Sequence, residues 1–201
     1  LRRLRDGGLW NELPYDFNTG GAGSSMRTSC IGLAFYGEAN RHKLIQISIE
    51  SSRITHNSTT GYLGGLTSAL FTAFAVEKKP IYEWPFALLE LFNSSVILKY
   101  IKTSERGVDS FLKDSHVFIG KWQRYVDDKF DEEHKPVKRK SDRNLVYRSA
   151  YYSETFGYNV PSTNKLPQLN ADIQNNDNGG NRFIGSGGDD SVIIAYDCLV
   201  D

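Results

Sequence analysis

Hydrophobic residues recur mainly at helical spacing along this chain, and the alternation typical of β-strands is almost absent. Residues 25–36, 42–55 and 61–76 each carry apolar positions distributed as on helices that bury part of their surface. The segment 61–76 gives the clearest pattern, because glycine and alanine alternate with large apolar residues and permit close contact between helices. The pattern predicts three helices in this part of the chain.

The remaining apolar segments also favour helices. Proline punctuates the region before residues 84–92 and 96–101, which predict one further short helix or a pair of them. Residues 110–130 place aromatic side chains three and four positions apart among charges, which is typical of an amphipathic surface helix. The chain is therefore predicted to be all-α, an irregular bundle of packed helices whose ligand cleft is formed by helix N-termini and loops.

Two polar segments interrupt the helical pattern and are predicted to be loop insertions within a single domain that spans residues 1–201. Residues 131–143 are charged and lack apolar periodicity, while residues 159–188 are rich in Asn, Asp, Gly and Pro. The first segment could be a basic patch for nucleic acid. Its acidic neighbours and its lack of aromatic residues favour a solvated loop instead.

Composition narrows the class of protein. A chain of 201 residues with 39% hydrophobic content can bury one sizeable core. Twenty-four basic residues balance 24 acidic ones, which argues against nucleic acid and anionic membranes as partners, and no apolar run has the length of a membrane span. Cys30 and Cys198 are predicted to be reduced, buried thiols, so we expect a cytoplasmic protein in a reducing compartment.

A glycine-rich bend stands directly before the first predicted helix. Gly20, Gly21 and Gly23 are expected to adopt positive φ angles and to let the backbone approach a ligand closely. The Ser24 and Ser25 hydroxyls and the free N–H groups of the following helix would then face an anion. The bend is therefore a candidate phosphate cradle, and the alternative is an ordinary helix start capped by one of the two serines.

Four stretches carry motifs that extend this hypothesis. They are residues 20–32 (GGAGSSMRTSCIG), 44–74 (LIQISIESSRITHNSTTGYLGGLTSALFTAF), 150–153 (AYYS) and 187–199 (GGDDSVIIAYDCL). Together they resemble the ADP-ribosylglycohydrolase family, most closely the branch that removes ADP-ribose from arginine. The resemblance implies an enzyme that hydrolyses the N-glycosidic bond between ADP-ribose and arginine on proteins.

The resemblance also implies two magnesium ions. In the family these ions are bound by an acidic pair early in the chain and by a Gly-Gly-Asp-x-Asp-Ser/Thr motif near its end, and this sequence contains neither. We therefore expect no metal ligands and no catalytic residues in this chain. It is predicted to be the central part of a longer domain, and the ligands for magnesium are expected outside it.

Several binding roles follow from the resemblance. The diphosphate of ADP-ribose would be bound by Gly21, Gly23, Ser24 and Ser25. This role agrees with the interpretation of the glycine-rich bend as a phosphate cradle.

Three residues near the bend each have two possible roles, one at the ligand pocket and one that is structural. Met26 would line the pocket for ribose and phosphate, with core filling as the alternative. Arg27 would either neutralise a phosphate or pair with an acidic neighbour. His56 is implied near the phosphates or ribose, whereas from its position alone it would be a histidine that caps the end of a helix.

Two further positions concern the adenine side and the end of the chain. Tyr152 and Ser153 match the place of an aromatic residue for adenine and a neighbouring hydroxyl, although Tyr151 would serve equally after a shift of one residue. The alternative is a buried pair of tyrosines. Asp189 and Asp190 are predicted to cap a helix or to orient a pocket loop rather than to bind a metal.

Three functions remain open at this point. The first is the hydrolase, with ADP-ribose or an ADP-ribosylated protein as its partner. The second is a catalytically inactive relative, a pseudoenzyme that serves as a scaffold or interaction subunit and binds protein partners in a large intracellular assembly. The third is a module that binds ADP-ribose without cleaving it.

Overall fold

The computed structural model describes residues 2–137, 145–156 and 183–200. Helices dominate these residues, and two isolated bridges are the β-structure found among them. The helices are α1 (Arg2–Arg5), α2 (Ser29–Ala34), α3 (Arg41–Arg53), α4 (Thr59–Val76), α5 (Trp84–Asn93), α6 (Val96–Thr103), α7 (Val108–Lys129), α8 (Leu145–Phe156) and α9 (Ser191–Val200). The predicted all-α bundle is confirmed.

Most predicted helices are found close to their predicted positions. The segments 42–55 and 61–76 form α3 and α4, residues 84–101 form the pair α5 and α6, and residues 110–130 fall within α7 and the residue after it. Helix α8 was not predicted from the sequence. Local periodicity therefore located the long helices and missed the shorter helices α1 and α8.

The predicted helix over residues 25–36 is wrong in its first turn, because α2 begins only at Ser29 and residues 22–28 form turns. The reason is tertiary. The Ser24 hydroxyl donates to the Gly61 carbonyl oxygen at 2.6 Å, and the Thr28 hydroxyl donates to the Gly65 carbonyl oxygen at 2.7 Å. These buried hydrogen bonds hold the segment against α4 as a series of turns.

Helix α4 lies at the centre of the bundle and packs against α2, α3 and α7. A Cβ atom built on Gly65 would lie 2.2 Å from Ser52 Oγ of α3, so a side chain at this position would push the two helices apart. Farther along, Phe71 of α4 meets Trp84, Trp122 and Tyr196, with ring centroids 5.4 Å apart in each pair. This aromatic cluster joins α4 to α5, α7 and α9.

A buried carboxylate joins the last three helices. Asp197 of α9 is 2% exposed, and it accepts hydrogen bonds from the Tyr125 hydroxyl at 2.8 Å and the Tyr152 hydroxyl at 2.7 Å. The Arg148 Nε atom lies 3.1 Å from Asp197 Oδ2. Burial and the neighbouring Asp197 charge raise the pKa of both tyrosines, so both hydroxyls stay protonated and donate. A charge in this position requires such partners, because an unpaired buried carboxylate is strongly destabilising.

Two further predictions concern the loop insertions and the burial of the two cysteines. Residues 131–137 form an exposed turn, and residues 183–188 form turns and a bridge to Gly21 before α9. The remaining parts of the two predicted insertions, residues 138–143 and 159–182, lie outside the described residues. Cys30 and Cys198 are both exposed, so their predicted burial is wrong. Their side chains lie on the outer faces of the short helices α2 and α9. In the described part of the chain, no helix combines the length and the apolar character needed to cross a membrane.

The Asp197 contacts predict a specific loss of stability. Tyr152→Phe removes one donor from the buried carboxylate, whereas Tyr147→Phe makes the same chemical change at a 60% exposed position of α8. We expect the first variant to lower the free energy of unfolding by roughly 1.5–3 kcal/mol, the range for a hydrogen bond to a charged group. The second should change it by less than about 0.5 kcal/mol. Urea unfolding followed by circular dichroism measures both, and equal losses would contradict the role assigned to Asp197.

Candidate functional site

The glycine bend is paired with the segment that precedes α9. The Ala22 N–H donates to the Ser186 carbonyl oxygen at 2.9 Å, and the Gly188 N–H donates to the Gly20 carbonyl oxygen at 2.8 Å, which forms an antiparallel bridge. Two segments at opposite ends of the chain therefore form one surface.

Asp190 holds the second of these segments in place. Its side chain is fully buried, and it accepts hydrogen bonds from the Gly187 N–H at 2.9 Å and from the Gly185 N–H. Burial raises the pKa of Asp190 to about 6, against the opposing effect of these two donors. Two roles were predicted for this acidic pair, to cap a helix or to orient a loop. The side chain of Asp190 has the second role. Its neighbour Asp189 is also buried and forms an ion pair with Lys121.

His56 lies directly over the bend. A Cβ atom built on Gly23 would lie 2.7 Å from His56 Cε1 and 2.8 Å from His56 Nε2, which is closer than real contacts of this kind. The predicted positive φ angles are wrong, since Gly20 has a φ of −82° and neither Gly21 nor Gly23 is among the residues with positive φ. Glycine is needed at position 23 because the imidazole occupies the space of a side chain.

The His56 ring is held in place and uncharged at neutral pH. Its Nδ1 atom lies 2.7 Å from the Thr55 hydroxyl oxygen. Desolvation, followed by the charge of Arg27, lowers the pKa of His56 below its ordinary value of 6.5. The other ring nitrogen, Nε2, lies on the side of Gly21 and Gly23 and has no hydrogen-bond partner among the described residues. It can therefore contact a molecule bound at the bend.

The bend presents polar groups that the described part of the chain does not satisfy. The backbone N–H groups of Gly23, Ser24 and Ser25 have no acceptor among the described residues. The Ser25 hydroxyl is buried and has no hydrogen-bond partner there either. In contrast, the Ser24 hydroxyl donates to Gly61 in α4, and Ser24 is fully buried. Adjacent free N–H groups in a turn are a typical arrangement for binding an anion.

The two residues after the bend differ in what they contact. Met26 is 82% exposed, so the alternative that it fills the core is wrong. The Arg27 guanidinium donates to the carbonyl oxygens of Ser51 at 2.8 Å and Gly23 at 3.4 Å. Neither of the alternatives predicted for Arg27 describes these contacts, because the side chain fastens the bend to the last turn of α3.

The predicted adenine-side residues lie in a different setting. Tyr152 is 1% exposed, and its ring packs against Tyr151 and Phe156. A base could stack on this ring only if the ring left its present position, which would break the contact with Asp197. Tyr151 is partly buried and donates to Asp128 at 3.2 Å. The roles predicted for Tyr152 and Ser153 stay predictions, and the buried pair of tyrosines describes the observed packing.

A metal centre would need several ligand side chains grouped together among the described residues. Among them, no group of three or more His, Cys, Asp or Glu side chains is arranged to hold a metal ion. Asp189 and Asp190, the acidic pair nearest to the bend, are bound to Lys121 and to backbone N–H groups. These residues do not fit a magnesium centre, and the expectation that its ligands lie outside the chain stays a prediction.

Sequence reasoning missed the contacts that assemble the site. It singled out the bend and His56 but gave no role to Thr55, Ser186 or the backbone of α4. The contact between Gly23 and His56 joins residues 33 positions apart, which local pattern reading cannot detect. The Thr-His pair within residues 44–74 was the available signal for Thr55, because a hydroxyl next to a histidine can fix its ring.

Comparison with known proteins decides the family. The family model described as ADP-ribosylglycohydrolase matches residues 1–163 of the chain. The chain belongs to the ADP-ribosylglycohydrolase family. The resemblance drawn from the four sequence stretches is thereby confirmed at the level of the family.

Two similar relatives extend over nearly the whole chain. A protein of Acanthamoeba polyphaga mimivirus, named as an ADP-ribosyl glycohydrolase, is 39% identical over 194 residues, which cover 95% of this chain and 33% of that protein. The ADP-ribosylhydrolase ARH1 of Dictyostelium discoideum is 32% identical over 195 residues, which cover 95% of this chain and 47% of that protein. The chain thus spans between a third and a half of the length of these relatives.

The contact between Gly23 and His56 gives a prediction that needs no ligand. In Gly23→Ala the new Cβ should push the imidazole outward, so that hydration returns and the pKa of His56 rises toward 6.5. The free energy of unfolding should fall by roughly 1–3 kcal/mol, as for other overpacked sites. An NMR titration of the His56 ring measures the pKa, and chemical denaturation measures the stability.

The matched control is Gly120→Ala in α7, where a Cβ would meet nothing within 4 Å. This variant should leave the His56 titration unchanged and should stabilise the fold by roughly 0.5–1 kcal/mol, because alanine favours a helix more than glycine does. An unchanged pKa of His56 in Gly23→Ala would show that the imidazole does not lie against the bend in solution.

Proposed function

We propose that the protein containing this chain hydrolyses the N-glycosidic bond between ADP-ribose and an arginine side chain, and that the glycine bend binds the diphosphate. One observation carries the proposal. Unpaired N–H groups at Gly23, Ser24 and Ser25 adjoin a neutral imidazole, which lies directly against the bend because Gly23 has no side chain. Family membership supplies the class of reaction.

The chemistry of a diphosphate suits this arrangement. Its oxygens accept hydrogen bonds, and the bend offers N–H donors together with the buried Ser25 hydroxyl. His56 contributes an uncharged ring whose Nε2 atom can donate when Nδ1 accepts from Thr55. Arg27 keeps the bend fastened to α3, so these donors are held in position before the ligand arrives.

Binding at the bend would serve the reaction by positioning. Hydrolysis of a glycosidic bond requires water near the anomeric carbon while positive charge develops on the sugar. A diphosphate held by several directed hydrogen bonds fixes where the attached distal ribose lies, which lowers the entropic cost of the reaction. Magnesium would supply the activation of water in the complete protein. The residues of this chain would bind and orient the substrate.

Arginine as the attachment site rests on one argument. Residues 44–74 resemble the branch of the family that acts on arginine, and these residues include His56 and the first turns of α4. An ADP-ribosylated protein is accordingly the proposed partner.

Calorimetry with ADP-ribose tests the bend. We expect the chain to bind ADP-ribose in a buffer that contains a metal chelator, because the proposed donors come from the chain itself. Gly23→Ala should weaken binding by about tenfold or more, the loss expected when one or two hydrogen bonds to a charged group are removed. Gly120→Ala should leave the affinity unchanged. Equal affinity of the wild type and Gly23→Ala would contradict the proposal that the bend binds the diphosphate.

Hydrolysis is tested with the complete natural protein. Peptides that carry ADP-ribose on arginine or on serine are incubated with the protein, with magnesium or with chelator, and released ADP-ribose is measured by chromatography. We expect release from the arginine-linked peptide only, and only with magnesium. Release from serine alone would contradict the proposed linkage. Binding of ADP-ribose without release from either peptide would favour the inactive relative.

A further inference from the structure

A groove of about 1290 Å³ lies between α5 and the C-terminal part of α7, away from the glycine bend. Its apolar floor is formed by Phe86, Ala87 and Leu89 of α5 and by Val126 and Phe130 on the other side. Phe86 and Phe130 meet edge to face with ring centroids 5.3 Å apart. Leu89, Val126 and Phe130 are buried, whereas Phe86 and Ala87 are partly exposed. A side chain that enters the groove would therefore meet apolar surface mainly at Phe86 and Ala87.

One wall of the groove is a well-defined turn. The His134 ring stacks on Phe86, with centroids 3.6 Å apart and an angle of 12° between the planes. Asp131 Oδ1 accepts hydrogen bonds from the backbone N–H groups of Glu133 and Lys135, at 2.9 and 2.8 Å. The Val137 N–H donates to the carbonyl oxygen at the end of α7, which closes the turn. The groove is thus a preformed feature of the fold.

The rim of the groove is strongly acidic. The carboxylates among its described lining residues are Glu83, Glu90, Asp127, Asp131, Glu132 and Glu133. Lys79 is the one lysine or arginine among these lining residues, and it already pairs with Glu83 at 3.2 Å. The chain as a whole has no net charge, so this concentration of negative charge is a local property. Glu90 and Glu132 are exposed and have no ion-pair partner among the described residues.

We propose that this groove is a docking site for a basic segment of a partner protein. Arginine or lysine side chains of the segment would meet the carboxylates on the rim, and one or two apolar side chains would pack on Phe86 and Ala87. Charge complementarity favours this partner, because the same carboxylates repel nucleic acid and anionic lipid. A basic segment without apolar side chains would leave the floor exposed, so the proposed segment carries both kinds of residue.

The groove and the glycine bend lie at opposite ends of α4. Ser24 and Thr28 contact the first turns of this helix, whereas Lys79 and Pro80 at the groove follow its last residue, Val76. A helix of 18 residues is about 27 Å long. A protein segment can therefore occupy the groove while another molecule occupies the bend, and the docking proposal does not depend on the proposed hydrolase function.

Fluorescence anisotropy with a short labelled peptide of alternating arginine and leucine tests the docking site. The wild-type chain should bind this peptide, and a peptide with serine in place of leucine should bind more weakly. The double variant Glu90→Gln with Glu132→Gln should lose about fivefold to tenfold in affinity, as expected for two exposed ion pairs. The matched control, Glu12→Gln with Glu154→Gln, removes the same charge from exposed positions outside the groove and should bind like the wild type.

Each other outcome overturns the proposal. Equal losses in the two double variants would indicate diffuse attraction between charges. Equal binding of the leucine and serine peptides would indicate that the groove binds cations without using its apolar floor. Spermine, a cation without apolar side chains, should then bind to the same site. Peptide binding that emerges only after Lys138, Arg139 and Lys140 are changed to alanine would identify the chain's own basic run as the occupant. Thermal unfolding checks that every variant is folded, and unchanged ADP-ribose affinity in the groove variant separates this test from that of the bend.

Discussion

The close packing of the glycine bend on the N-terminal half of α4 is the contact on which the candidate site depends. The Ser24 and Thr28 hydroxyls satisfy α4 carbonyl oxygens in the interior, where an unpaired polar group would be costly. Gly65 also lets α3 approach α4 within contact of Ser52, and His56 stands three residues after the end of α3. The imidazole and the bend meet because both are held by the same helix.

Charged and polar groups are used differently at Asp197, at the glycine bend and at the groove. Asp197 is buried and fully paired, and it holds α7, α8 and α9 together. The bend offers N–H donors and a histidine that burial keeps neutral, which suits an anionic ligand without a fixed ion pair. The groove beyond α4 exposes carboxylates above an apolar floor. Asp197 therefore has a structural role, the bend favours an anionic ligand, and the groove favours a segment that carries cations.

The polar contacts around the bend also explain why its surface is preformed. Asp190 orders the loop that pairs with Gly20 and Ala22, although it contacts neither residue itself. Arg27 fastens the other side of the bend to α3 through carbonyl oxygens. Donors that are fixed in advance lose little entropy when a ligand binds, so most of their hydrogen-bond energy is available for affinity.

The sequence by itself determined the helical class, the positions of α3, α4 and α7, and the family, because helical periodicity and contiguous motifs are local properties of a chain. Tertiary structure decided the rest. It shortened α2, buried Tyr152 on Asp197, exposed Cys30 and placed Asp190 as the residue that orders the loop.

Gly23 illustrates the difference between the two levels. The sequence indicated that glycine mattered at this position but suggested backbone freedom as the reason, whereas the structure has an imidazole in the space of the missing side chain. Contacts of this kind join residues that are far apart in sequence, and their geometry exists only after the helices have packed. Local patterns can therefore predict which elements form, while the distances between side chains are set by how those elements pack.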